Sequence, residues 1–226
     1  MKKTMSIVTA ALALGLAFVP VASVHADDTD SKNTTAQFGV SGGTITIDEV
    51  PDLRFNDITV EKAVSTGDDL KLSSGTVDQL TGATDGKANT QIKVTDNRGT
   101  NEGWSLSAQT GQFLFGSGTA TSPADINVTG ITFNTVGVSS TGASANAFIT
   151  TGSITDSGTV LWTADDSRTA TTQNYGTGTN TAKVTDATLA LAQSKNAKAG
   201  TYRAPITWTL TTGPDGSDTN STGSGN

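Results

Sequence analysis

After the glycine pair Gly42-Gly43, apolar and polar positions alternate through Thr44-Ile45-Thr46-Ile47-Asp48, the pattern of a strand with one face buried. Val50-Pro51-Asp52-Leu53 ends it, and the spacing of Leu53, Phe55, Ile58 and Val60 is irregular. From Lys62 to Asn89 the glycines and aspartates predict loops around one short strand near Asp69 to Leu72. Alternation resumes in Gln91-Ile92-Lys93-Val94. Further strands are predicted at Gln112 to Phe115, Ile126 to Phe133, Ala147 to Thr150 and Thr159 to Trp162. Thr185 to Ala192 leans towards helix by composition, yet Val184, Thr188 and Leu189 fit a strand, and a strand is the prediction. Tyr202 to Thr212 is the last strand, closed by Gly213-Pro214-Asp215-Gly216.

Two of these strands share a triplet. Trp104-Ser105-Leu106 and Trp208-Thr209-Leu210 lie about a hundred residues apart. Successive side chains of a strand point to opposite faces, so each triplet sets an indole beside an isobutyl group. A dense turn, Asp96-Asn97-Arg98-Gly99, precedes the first triplet, and Gly103 lets the backbone bend just before it.

Many short strands, Gly- and Ser-rich turns and no sustained helical period predict an all-β, β-sandwich-like single domain over residues 38–212. Residues 1–26 read as a secretory signal peptide: Lys2 and Lys3, an apolar run from Ile7 to Val19, and Val24-His25-Ala26 as cleavage site. Residues 27–37 form a polar, flexible leader and 213–226 a disordered tail. The exported chain is then expected to be secreted, with no membrane segment in the mature form.

Charge and composition remove several function classes. Without Lys2 and Lys3 the formal charge moves from −7 to −9, and the remaining basic residues are scattered, so nucleic acid is not an expected partner. There is no cysteine, which excludes a disulfide scaffold, a thiol nucleophile and a lipid-bearing N-terminal Cys, and points to a Gram-positive source. The single histidine, His25, falls in the predicted signal peptide, so imidazole catalysis and the ordinary zinc sites are not expected in the mature chain. No cofactor or metal is expected. Asp68-Asp69, Asp165-Asp166 and Asp215 to Asp218 lack calcium-loop spacing.

With its opening Gly43 to Phe55, the block Val94 to Gly99 followed by Gly103-Trp104-Ser105-Leu106, and the closing Tyr202 to Leu210, the chain resembles the WxL-domain cell-surface proteins of low-GC Gram-positive bacteria. The resemblance implies non-covalent attachment to the cell wall through peptidoglycan, association with companion cell-surface proteins, and no catalysis. The chain has no Leu-Pro-x-Thr-Gly sorting signal, which agrees with non-covalent retention at the surface.

The wall- or partner-binding candidates are Trp104, Leu106, Trp208, Leu210, Asp96, Arg98 and Tyr202. Two readings stay open for the triplets: a surface platform on which sugar rings stack, or core that fixes the neighbouring turn as a binding surface. Asp96 and Arg98 either meet charged groups of the wall peptide or satisfy a tight turn. Two further functions stay open, a structural or interaction subunit that docks, through an unpaired edge strand, a companion secreted surface protein which itself holds the wall, and a wall hydrolase using carboxylates, with Glu102 beside Trp104 as its candidate acid.

Overall fold

The structure, a computed structural model, describes residues 31–78, 80, 86–87, 90–116, 125–140, 152–164 and 176–213. The predicted signal peptide, the strand expected at Ala147 to Thr150, the Asp165-Asp166 pair and the tail beyond Gly213 lie outside these residues. The chain divides into two units. Of the first, Met1–Gly39, residues 31–39 are described, exposed and without helix or strand. The second, Val40–Asn226, carries every element described below.

In order these are β1 (Ile45–Pro51), α1 (Val60–Ser65), β2 (Gly67–Lys71), β3 (Gly86–Lys87), β4 (Gln91–Asp96), β5 (Trp104–Thr110), β6 (Leu114–Phe115), β7 (Asn127–Ser140), β8 (Ser153–Ile154), β9 (Thr159–Ala164), β10 (Gly178–Ala192), β11 (Tyr202–Arg203) and β12 (Ile206–Thr212). The fold is all-β and sandwich-like. One sheet runs β3-β1-β4-β10-β7-β8, with β2 also paired to β10; a second runs β12-β5-β9; β6 and β11 form a ribbon.

β10 organises the larger sheet. Its first half pairs antiparallel with β4 and its second half with β2, while β7 follows it along the other edge. Asn180, Ala182 and Val184 are buried, then Ala187, Leu189 and Leu191. The inward parity changes because the β7 register shifts on either side of Asp186, and a bulge moves later side chains to the opposite face.

In the second sheet β5 is central. Trp104, Leu106, Ala108 and Thr110 alternate on its buried face. Leu106 has Leu210 of β12 as Cα partner on one side and Trp162 of β9 on the other. The two sheets share a core, in which Phe133 of β7 stacks on Trp208 of β12 with ring centroids 6.5 Å apart and planes at 20°.

The helix α1 corrects the loop expectation for this region. Thr59 caps it, its hydroxyl accepting from the Lys62 N–H at 3.3 Å. Its last carbonyls are met from the end of β10: the Ser194 N–H donates to Ala63 O at 2.8 Å, and Gln193 Nε2 donates to Val64 O and Ser65 O, each at 3.0 Å. No helix among the described residues is long and apolar enough to cross a membrane.

Candidate functional site

Alternation along β4 buries Ile92, Val94 and then Asp96, so a carboxylate follows two aliphatic side chains onto the core face. A buried charge needs a partner. Arg98 supplies it: Nε donates to Asp96 Oδ1 at 2.9 Å and Nη2 to Oδ2 at 2.8 Å, a two-pronged pair with side-chain exposures of 12% and 6%. Asp96 Oδ1 also accepts from the Arg98 backbone N–H at 3.1 Å, closing the turn. Of the two readings left open for this pair, the satisfied turn is the one the geometry displays.

The same guanidinium reaches forward. Arg98 Nη2 donates to Gly103 O at 2.8 Å, and that carbonyl also accepts from the Gly213 N–H at 3.1 Å, just past β12. Arg98 Nη1 lies 3.5 Å from Glu102 Oε2, within ion-pair range yet outside hydrogen-bond geometry. Glu102 itself is exposed and accepts from the Thr100 hydroxyl at 3.2 Å. The Asp96 bond holds the Arg98 guanidinium's pKa above its ordinary value.

Trp104 and Leu106 are both 0% exposed, so the first triplet is core. The Trp104 indole N–H donates to Gly176 O at 3.4 Å, and its ring meets Trp162 edge-on at 5.1 Å. Gly176 sits at φ +69°, and a Cβ there would fall 2.3 Å from Trp104 Nε1. Asn180, fully buried, donates to the same carbonyl at 2.6 Å. The asparagine and the indole thus converge on one peptide group.

The second triplet has a different setting. Trp208 and Leu210 are half-buried, and β12 is paired only with β5, in register from Ile206–Thr110 to Thr212–Trp104 with no bulge. Gly111 N donates to Pro205 O at 2.8 Å, and the Gly213–Gly103 bond closes the other end of this ladder. Hydrogen-bonded and non-hydrogen-bonded pairs alternate in an antiparallel ladder. Thr207, Thr209 and Thr211 therefore point their backbone groups at β5, whereas Ile206, Trp208, Leu210 and Thr212 point theirs outward. Among the described residues no hydrogen bond engages those outward groups.

The start of this open edge borders a cleft of about 1310 Å³ lined by Ile206, Thr207 and Trp208, with Leu53, Phe55 and Phe113 among its apolar walls. Tyr202 lines it too. The Tyr202 hydroxyl accepts from Lys198 N at 2.7 Å and donates to Lys198 O at 2.9 Å, and its ring lies against Phe115 at 5.2 Å. Among the described residues the cleft is lined by the carboxylates Asp48, Glu49, Asp52, Asp57 and Asp78 and by the cations Arg54, Lys198 and Arg203. Arg54 pairs with Asp57 and Arg203 with Asp78, each at 2.6 Å. Asp68 pairs instead with Lys62, away from any cluster able to hold a metal; no such cluster occurs among the described residues.

The sequence candidates thus fall into two places. Asp96, Arg98, Trp104 and Leu106 gather at the turn before β5, with Leu210 opposite Leu106; Trp208 and Tyr202 line the cleft. Sequence reasoning missed Trp162 and Gly176, which complete the setting of Trp104. The Ile92-Val94-Asp96 alternation was the available signal that Asp96 turns inward.

Residues 19–214 match the family model of the WxL domain, described as surface cell wall-binding. No curated protein matches the chain.

Proposed function

Because the chain belongs to the WxL domain family of surface cell wall-binding proteins, we propose that it is a secreted, non-catalytic module that attaches non-covalently to the Gram-positive wall through peptidoglycan. The observation that carries this reading is the extent of the family match, which takes in every described strand from β1 to β12.

In this reading Trp104 and Leu106 do not touch the wall. They anchor the turn between β4 and β5, whose exposed residues Asn97, Gly99, Thr100, Asn101 and Glu102 form the contact surface. Arg98, tied to Asp96 and Gly103, sets the shape of that turn rather than offering a free charge. Glu102 is an exposed carboxylate beside a guanidinium, which supports a non-catalytic role over that of a general acid in an apolar pocket.

Sedimentation with purified Gram-positive sacculi tests the attachment. The exported chain is expected in the pellet, and a chain that stays in the supernatant overturns direct wall binding. A zymogram of the same sacculi is expected to show no clearing.

A second reading is favoured by the open edge of β12. The chain also serves as an interaction subunit that docks a companion surface protein, and the unengaged backbone groups of Ile206, Trp208, Leu210 and Thr212 support it.

A further inference from the structure

At the end of β5 away from Trp104 lies a recess of about 490 Å³ lined by Thr110, Gln112, Phe113, Thr129, Thr155 and Asp156. Its volume falls within the range of about 300–1,000 Å³ usual for small-molecule sites. The main chain around it is already engaged. The Thr110 N–H donates to Thr155 O at 3.0 Å, and the Gly111 N–H to Pro205 O at 2.8 Å. What the recess offers a ligand is therefore side chains.

Those side chains are a mixed set of donors and acceptors. Among the described residues no hydrogen bond engages the Thr110 hydroxyl or the Gln112 side-chain amide. The Thr155 hydroxyl accepts from the Ser157 N–H at 3.3 Å and keeps its own proton to donate, while the Thr129 hydroxyl donates to Ala190 O at 3.2 Å and keeps its lone pairs. Asp156 Oδ1 accepts from the Ser157 hydroxyl at 3.3 Å, and Oδ2 has no partner among the described residues. Gln112 and Asp156 are exposed, and the half-buried Phe113 adds an aromatic ring.

This lining discriminates between ligand classes. An anion would meet the Asp156 carboxylate with no lysine or arginine of the lining to offset it. A wholly apolar ligand would cover polar groups and leave them unpaired. An extended peptide would find the N–H groups of Thr110 and Gly111 taken. A sugar ring meets none of these obstacles: its hydroxyls both donate and accept, two neighbouring ones can bridge a carboxylate, and its C–H face suits an aromatic side chain.

We propose that this recess is a binding site for a neutral saccharide, with Gln112 and Asp156 bonding its polar groups and Phe113 against its ring. The proposal deepens the wall-attachment reading and rests on it: the ligand is a sugar unit of the wall, met at the opposite end of β5 from the turn between β4 and β5.

The probes are two neutral oligosaccharides, the β-1,4-linked tetramer of N-acetylglucosamine and maltotetraose, titrated into the full exported chain while backbone amide shifts are followed by NMR. The first is expected to move Thr110, Gln112, Thr129, Thr155 and Asp156 and to leave Asn97 to Glu102 in place. Gln112→Ala and Asp156→Asn alter exposed side chains, and each is expected to keep the wild-type thermal melt while weakening binding roughly tenfold. Thr185→Ala on β10, also exposed, is expected to bind as wild type.

Shifts produced by maltotetraose alone support a saccharide site and assign its source to a wall polysaccharide other than the amino-sugar glycan. No shifts with either sugar, shifts only outside the recess, or undiminished binding by both Gln112→Ala and Asp156→Asn overturns the proposal. Sedimentation with sacculi separates it from the reading beneath it. A chain that pellets yet binds neither sugar leaves wall attachment standing and removes this site; a chain that stays in the supernatant yet binds sugar at the recess keeps the site and removes direct attachment.

Discussion

The Trp104 indole meets Trp162 edge-on, with ring centroids 5.1 Å apart and planes at 83°. One ring's positive rim faces the other's negative face, and both side chains are fully buried between β5 and β9. This pair, and not a sugar, is what the first triplet's tryptophan contacts.

Trp104→Ala is therefore expected to destabilise the fold by about 3–5 kcal/mol, the usual cost of emptying a buried aromatic site. Trp208→Ala, at a half-buried edge position, is expected to cost clearly less. Denaturant unfolding of the two single variants measures both. Equal losses would contradict the different settings of the two triplets.

Gly176→Ala strains the same region from the other side. A left-handed backbone costs an L-residue about 1–2 kcal/mol, and here the added methyl also meets the Trp104 ring nitrogen at 2.3 Å. A loss of at least that size is expected, accompanied by a red-shifted tryptophan emission as the indole gives way. A variant as stable as wild type would show that the Gly176 peptide does not hold Trp104.

Arg98→Ala leaves the Asp96 carboxylate inside the protein without its fork, and breaking a buried pair of this kind costs about 3–5 kcal/mol. Arg98→Lys keeps the charge but cannot hold both Asp96 oxygens and Gly103 O together, so an intermediate loss is expected. The pH sign follows from the raised pKa of Arg98. Its contribution is complete below the ordinary arginine value and is lost only as pH rises through the still higher folded value, so the pair stays intact through the alkaline range below it. Thermal melts at increasing pH, wild type against Arg98→Lys, check it.

Asp68 offers a titration at the acid end. Its bond to Lys62 holds the carboxyl below its ordinary value, so the contact is complete above that value and opens as pH falls through the lower folded one. Because Asp68 is exposed to solvent, the expected result is local, a change in exchange of the α1 amides with no shift in global unfolding. NMR titration of Asp68 in the Lys62→Met variant is expected to return its midpoint to the ordinary range.

Much of the strand pattern was legible because alternation is a local property. Ile45 with Ile47, Ile92 with Val94 and Ile206 with Trp208 mark β1, β4 and β12 directly. The bulged segment was harder. The register shifts around Asp186 in β10 separate buried Val184 from buried Ala187 by three residues, with Leu191 four further on, a spacing that resembles one face of a helix. Helix α1 left no periodic trace because its six residues bury only Ala63. The two triplets read alike and are placed differently because β5 is central and β12 terminal in the sheet. Strand order depends on contacts between distant segments, and no window around either triplet contains it.

The central place of β10 has a consequence for timing. β2 and β4 lie on one side of it and β7 on the other, all made well before it, and the first triplet's strand likewise awaits β12. A chain emerging N-terminus first can form its early hairpins but cannot join the two flanks of the larger sheet until residue 192 is free, or close the β5–β12 ladder until residue 212 is. Contacts of such long sequence separation make for slow folding. The larger sheet and the β5–β12 ladder thus reach their final form only once nearly the whole of the second unit is available.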